Sequence, residues 1–240
     1  MTAPGPGGGL SPGAVPMDAI PASGDRRRHP APAHLRFFHG PMDCGKSTLA
    51  LQIDHNQARQ GRSGLLLVRH DRSGPARITS RLGLSRDAIE VTELMDLREL
   101  VAGRKAAGSR VDYVVVDEAQ FLDPDQVEQL ADLVDDAGVD VYAFGISTDF
   151  RGRLFPGSQR LLELADSVQR LQVEVLCWCG RPGLLNARVV GGRVVRAGDT
   201  VLVADTGGEA DVHYQVLCRA HHRSGDLGPG VRAPGQLTIS

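Results

Sequence analysis

The chain has 240 residues, 41% of them hydrophobic, with 27 basic and 29 acidic side chains and a formal net charge of −2. That length suits one ordinary domain with a small appendage, and the apolar share is enough for a packed core. The balanced charge gives no electrostatic case for a nucleic-acid or membrane partner, no apolar stretch approaches the roughly 20 residues of a membrane helix, and the N-terminus lacks an apolar signal core, so the expected location is cytoplasmic.

Residues 1–33 are dense in Gly, Pro, Ala and Ser. Such a segment buries too little apolar surface to offset its ordering entropy and reads as a disordered tail, its "RRRHP" patch solvated. From residue 35 short apolar runs alternate with amphipathic stretches. "LRFF" reads as a strand, Lys46 to about Arg59 as a helix and "GLLLVRH" (64–70) as a buried strand. "VDYVVVDEAQF" (111–121) reads as a strand ending in acids. Val127, Leu130, Leu133 and Val134 recur at helical spacing; "VDVYAFGIS" is a further strand and "SQRLLELAD" a short helix. Apolar strands without alternation, separated by helices, indicate an α/β fold with a mostly parallel central sheet spanning 34–173. After about Glu174 the helical period disappears and Val-rich runs split by "GG" and "AGD" predict β-hairpins in a second small domain, 174–224. Residues 225–240 return to Gly and Pro and read as a flexible tail.

"GPMDCGKS" fits a phosphate loop, G-x-x-x-x-G-K-[ST], with a strand before and a helix after. Glycine at 40 and 45 lets the backbone bend tightly and bring N–H groups to phosphate oxygens. Lys46 suits the β- and γ-phosphates, and the Ser47 hydroxyl a Mg²⁺ ion. Cys44, at the helix N-terminus, is expected to shape the loop and to be somewhat acidic and oxidisable. Asp117 and Glu118 end a buried strand on the same sheet edge. Asp117 suits Mg²⁺, and Glu118 suits a general base for whatever attacks the γ-phosphate. Water as that nucleophile makes an ATPase, and a substrate alcohol makes a kinase, which needs water excluded.

The four cysteines are too few for a disulfide framework, and three cluster. Cys177 and Cys179 in "LCWCG", with Cys218 and His221 in "CRAHH", make a Cys₃His set for a structural Zn²⁺. His222 or His213 remains an alternative fourth ligand.

In this order "GPMDCGKST", "VVVDEAQF", "GISTDFRG" and the Cys/His cluster resemble the thymidine kinases of the cellular and bacterial (type II) family, over residues 35–222. The resemblance implies a RecA-like phosphate-loop domain and a zinc-bearing lasso. It also implies transfer of the ATP γ-phosphate, with Mg²⁺, to the 5′-hydroxyl of thymidine or deoxyuridine. It casts Glu118 as the general base. The nucleotide side comprises Gly40, Pro41, Met42, Asp43, Cys44, Gly45, Lys46, Ser47, Thr48, Asp117 and Gln120. Met42, Gln120, Phe121, Ile146, Phe150 and Phe155 match positions around the deoxyribose and pyrimidine. Tyr214 matches a lasso tyrosine at the base, and "TVLVADTG", with Val201, Leu202, Val203 and Ala204, the lasso stretch whose main chain meets the base edge. A homotetramer inhibited by dTTP is a further implication. Ser147 stands where an aspartate is frequent, "CWC" is one spacer short, and Asp71 and Arg72 only partly match the family's Asp-Asp-Arg segment. Arg151 and Arg153 are candidates for steadying transferred charge, solvated arginines being the alternative.

"DEAQ" also resembles a helicase box, but the chain is too short for tandem RecA-like domains and has no basic excess. A GTP switch would need an Asn-Lys-x-Asp motif, and the asparagines are Asn56 and Asn186. A nucleic-acid-binding zinc ribbon would need basic and aromatic residues across the hairpins, which apart from Trp178 are sparse there.

Overall fold

The computed structural model describes residues 1–2, 32–69, 75–171, 174–198 and 212–229. In chain order the elements are β1 (Leu35–His39), α1 (Lys46–Arg59), β2 (Gly64–Val68), β3 (Arg77–Thr79), β4 (Ser85–Asp87) and β5 (Ile89–Glu90). Then come α2 (Leu97–Ala106), β6 (Tyr113–Asp117), a 3₁₀ turn at Ala119–Phe121, α3 (Pro124–Asp135), β7 (Asp140–Gly145), α4 (Pro156–Leu164) and β8 (Ser167–Arg170). The last are β9 (Leu185–Val190), β10 (Arg193–Val195), β11 (Val212–Leu217) and α5 (Arg219–Ser224).

Six strands form one sheet in the order β5-β2-β6-β7-β1-β8, and every pairing in it is parallel. All five residues of β6 are buried, as a strand covered on both faces requires. Side chains alternate between two cores across the sheet. Phe37, Val114, Val116, Val141 and Ala143 join Leu97 and Val101 of α2, Val127, Leu130, Leu133 and Val134 of α3, and Leu161 of α4. Phe38, Tyr113, Val115, Tyr142 and Phe144 join Ala50 and Leu51 of α1 on the opposite face. Each fully buried Val, Leu or Phe contributes about 1.5–3 kcal/mol, so both cores hold the C-terminal strand ends in place.

Pro124 opens α3 and Asp123 N–H donates to Gln126 Oε1 at 3.4 Å. In α2 the Asp96 carboxylate accepts from the N–H groups of Arg98 and Glu99, satisfying two otherwise unpaired amides. A second sheet, β10-β9-β11, is antiparallel. Its β9–β10 hairpin turns on Gly191 and Gly192, at φ 54° and 74°, the left-handed pair that a two-residue hairpin demands. Ala187, Val189, Leu217, Cys177, Cys218 and Leu227 form its core.

The helix-and-strand order matches the expected α/β pattern, with differences. The run expected as a strand over 111–121 is a strand only to Asp117, because the chain then turns sharply at Glu118. The α2 helix, the β3–β4 hairpin, β5, β8 and α5 lie outside the expected elements. Residues 225–228 pack: Leu227 is 9% exposed and Gly228 abuts the Trp178 ring.

Candidate active site

The phosphate loop runs from the end of β1 into α1. Gly45 holds φ 81° and Asp43 φ 69°, and a Cβ on Gly40 would sit 2.5 Å from Cys44 Sγ, so glycine is required at both 40 and 45 for different reasons. No side chain caps α1, and its first turn carries no acid, leaving its N-terminal amides and positive dipole end to an anion. Lys46 is buried, and its Nζ donates to the Pro41 carbonyl at 2.8 Å and the Gly40 carbonyl at 3.5 Å. Asp43 pairs with Arg81 at 2.5 Å. Cys44 departs from expectation: burial raises its thiol pKa, outweighing the lowering by Lys46 and backbone N–H groups. It is a packed, protonated thiol.

Asp117 ends β6, two strands from β1 across β7. The residue is 3% exposed; its Oδ1 accepts from the Glu118 N–H at 3.0 Å, and the Ser47 hydroxyl is close enough to favour its charged form, bringing the acid strand to the phosphate loop. Burial, then the neighbouring Glu118 charge, raises its pKa, against lowering by Ser47, the Glu118 amide and Lys46. The Asp117 and Glu118 carboxylates and the half-buried Ser47 hydroxyl offer hard oxygen donors suited to Mg²⁺. Glu118 adopts φ 55°, a left-handed conformation rare for a non-glycine residue. Its Oε2 accepts from Gln120 Nε2 at 2.5 Å, and Gln120 Oε1 accepts from Ile146 N–H at 3.1 Å. Gln120 thus ties the end of β6 to the end of β7.

The aromatic side chains fall into two groups. Phe121 and Phe155 meet edge to face, centroids 5.4 Å apart. The Arg188 guanidinium lies 3.8 Å from the Phe150 ring centroid, and its Nε donates to Tyr214 Oη at 3.1 Å. The loop after β7 is held by Asp149, which accepts from the N–H groups of Arg151 and Arg153 and pairs with the Arg151 guanidinium at 2.7 Å. Arg151 therefore serves this loop's shape. Val201–Ala204, Asp71 and Arg72 lie outside the described residues.

The donor atoms of Cys177, Cys179, Cys218 and His221 all lie within 4.8 Å of one another. Cys177 Sγ is 3.4 Å from His221 Nδ1, and Cys179 Sγ is 4.0 Å from Cys218 Sγ. Tetrahedral ligands at about 2.3 Å from zinc stand about 3.8 Å apart, so the cluster fits Zn²⁺. The open choice of histidine resolves to His221. His222 turns the other way: it is 2% exposed and its Nε2 donates to the Phe150 carbonyl at 2.9 Å. Trp178 stacks on the His221 ring, centroids 4.3 Å apart.

A family profile described as "Thymidine kinase" matches residues 33–222. The chain belongs to the thymidine kinase family. Curated thymidine kinases resemble it over most of their length. One from Cutibacterium acnes is 56% identical, covering 84% of this chain and 93% of its own. One from Streptomyces coelicolor is 58% identical, covering 79% and 88%. A third, from Rhizobium meliloti, is 42% identical, covering 78% and 94%. Membership in the thymidine kinase family gives the phosphate loop and the acid pair a common purpose.

Several residues near the site carried no sequence signal. His39 Nδ1 lies 2.6 Å from Ser147 Oγ, where the thymidine kinase pattern often has an acid. Burial, Arg170 and Lys46 lower the His39 pKa, so the imidazole is neutral at pH 7. Arg188 and Asn186 sit in a strand that read only as a Val-rich hairpin. Both are buried polar residues, and a buried polar residue is the physical sign of a built contact.

Proposed function

We propose that this protein transfers the γ-phosphoryl group of ATP to the 5′-hydroxyl of thymidine, and of deoxyuridine, giving dTMP and dUMP. The observation that carries this reading is the buried Asp117 carboxyl standing close enough to Ser47 and Lys46 of the phosphate loop for both to favour its charged form, which couples the loop to the acid pair. Phe121, in the turn just after the acid pair, packs edge to face on Phe155, and Phe150 and Tyr214 share the Arg188 guanidinium.

In this reading the loop 40–48 cradles the ATP phosphates and Lys46 leaves its carbonyls for the β- and γ-phosphate oxygens. Ser47 and Asp117 would hold Mg²⁺, which would offset charge on the phosphate oxygens. Glu118 takes the proton of the 5′-hydroxyl as the O5′–P bond forms and the bond to the β-phosphate oxygen breaks, releasing ADP. Gln120 keeps Glu118 oriented. Met42, Phe121, Ile146, Phe150, Phe155 and Tyr214, with Val201–Ala204, surround the nucleoside and exclude water. Zn²⁺ on Cys177, Cys179, Cys218 and His221 anchors a lasso domain (174–224) beside the kinase domain (34–173). A cytoplasmic homotetramer inhibited by dTTP completes the proposal.

The test is thymidine-dependent ADP formation by wild type and by Glu118→Gln. Wild type should turn over ATP only with thymidine, and the variant should lose turnover while still binding ATP. Stimulation by single-stranded DNA alone, or a fully active variant, would overturn it.

A further inference from the structure

The small sheet reaches the phosphate loop through one side chain. Asn186, at the second position of β9, is 4% exposed, and its Oδ1 accepts a hydrogen bond from the Met42 N–H at 2.9 Å. That N–H belongs to the same peptide unit as the Pro41 carbonyl, the 2.8 Å acceptor of Lys46 Nζ. The unit is planar and trans, so its N–H and C=O point in opposite directions and turn together. Asn186 on one side and Lys46 on the other therefore clamp a single peptide plane.

The platform behind Asn186 is rigid. It pairs with Val216 in the β9–β11 ladder. Its successors Ala187 and Arg188 are 0% and 1% exposed, and Arg188 lies against Phe150. A side chain on such a strand fixes its partner with little further loss of conformational entropy.

We propose that Asn186 is a positioning residue for Lys46. By holding the Pro41–Met42 peptide it sets the loop shape in which Lys46 is stored and from which it meets the nucleotide phosphates. The nucleotide's identity rests on the kinase reading above; the hold on the loop does not.

The test compares Asn186→Ala, which removes the acceptor, with Asn186→Asp, which keeps an oxygen in its place, in the full zinc-loaded chain. Amide hydrogen exchange over residues 40–48 is followed without nucleotide. The KM values for ATP and thymidine are measured alongside. Loss of one net hydrogen bond predicts roughly five- to tenfold faster exchange in N186A and an ATP KM raised by about the same factor. The thymidine KM, which Met42 also touches in the kinase reading, should rise by less than the ATP KM, and N186D should keep wild-type exchange. Unchanged exchange in N186A, a shift in the thymidine KM alone, or N186D exchanging as fast as N186A would each overturn the proposal. If N186A does not fold, Asn186→Ser, whose hydroxyl is too short to reach Met42, replaces it. A chain inactive toward thymidine would refute the kinase reading, while the exchange rates would still decide the role of Asn186.

Discussion

Gly157, in the first turn of α4, lies against the backbone of the turn that follows the acid pair. A Cβ placed there would stand 2.5 Å from the Leu122 carbonyl oxygen, 2.9 Å from that of Ala119 and 3.0 Å from that of Gln120. Ordinary contact begins near 3.4 Å, so Gly157→Ala must push α4 and the turn apart by up to about 0.9 Å at Leu122. Carbonyls cannot rotate away freely here, since Ala119 O already accepts from Leu122 N–H. Overpacking of this kind costs about 1–3 kcal/mol. In a chain of this size that lowers Tm by roughly 2–12 °C. The turn carries Gln120, which orients Glu118, and a shift approaching 1 Å at a positioning group can cost up to about a hundredfold in rate. We expect thermal unfolding to show a modest loss while thymidine-dependent ADP formation falls by roughly ten- to a hundredfold. Gly103→Ala is the control. That glycine is inside α2 with nothing within 4 Å of its Cβ, and the change should stabilise by about 0.5–1 kcal/mol. Unchanged Tm and rate in Gly157→Ala would refute the claim that α4 braces the acid turn.

Metal analysis of the purified protein should find zinc equimolar with chain, and Cys218→Ser should lose it. Trp178 is the sole tryptophan and stacks on His221, so its fluorescence should change on metal removal; unaltered emission would contradict the geometry. Asp140 is a second target. Burial alone would raise its pKa, but hydrogen bonds from Arg62, Arg36 and the His34 N–H hold it below the ordinary range. A depressed folded pKa contributes stability above the unfolded value of about 3.9, and that contribution is lost as pH falls through the folded value. Asp140→Asn should therefore cost about 1–3 kcal/mol at pH 7 and flatten the stability profile below about pH 4, read by denaturant melts across acid pH.

Local chemistry was legible where it follows local spacing. The glycines and Lys46 of the phosphate loop, the acids ending β6 and each of the two halves of the Cys/His set occupy a few neighbouring positions, and the elements beside the loop and the acids follow from apolar runs. Helix α2 carries a usable signal: Asp96 before Leu97, Glu99 three residues on from the cap, and Val101 a turn after Leu97, both apolar positions buried. Other contacts had no local signature. Asn186 meets Met42 across 144 positions, and only the fold supplies that neighbour. His221 and His222 are adjacent in sequence, but successive helical residues point about 100° apart, so the packing of α5 decides which one faces the sulfurs. At Cys44 two influences oppose: its place at a helix N-terminus favours a thiolate, whereas its complete burial, which only the fold reveals, disfavours any charge.

The larger sheet ends at β5, two residues long, and at β8, four residues long and mostly solvent-exposed, finishing in Arg170. Unpaired strand borders are templates for another chain, and brevity and charge blunt them. Self-association by extending this sheet is therefore disfavoured at both borders. The C-terminal strand ends of this sheet, where the phosphate loop and acid pair converge, are thus kept clear of a strand added at either of its borders.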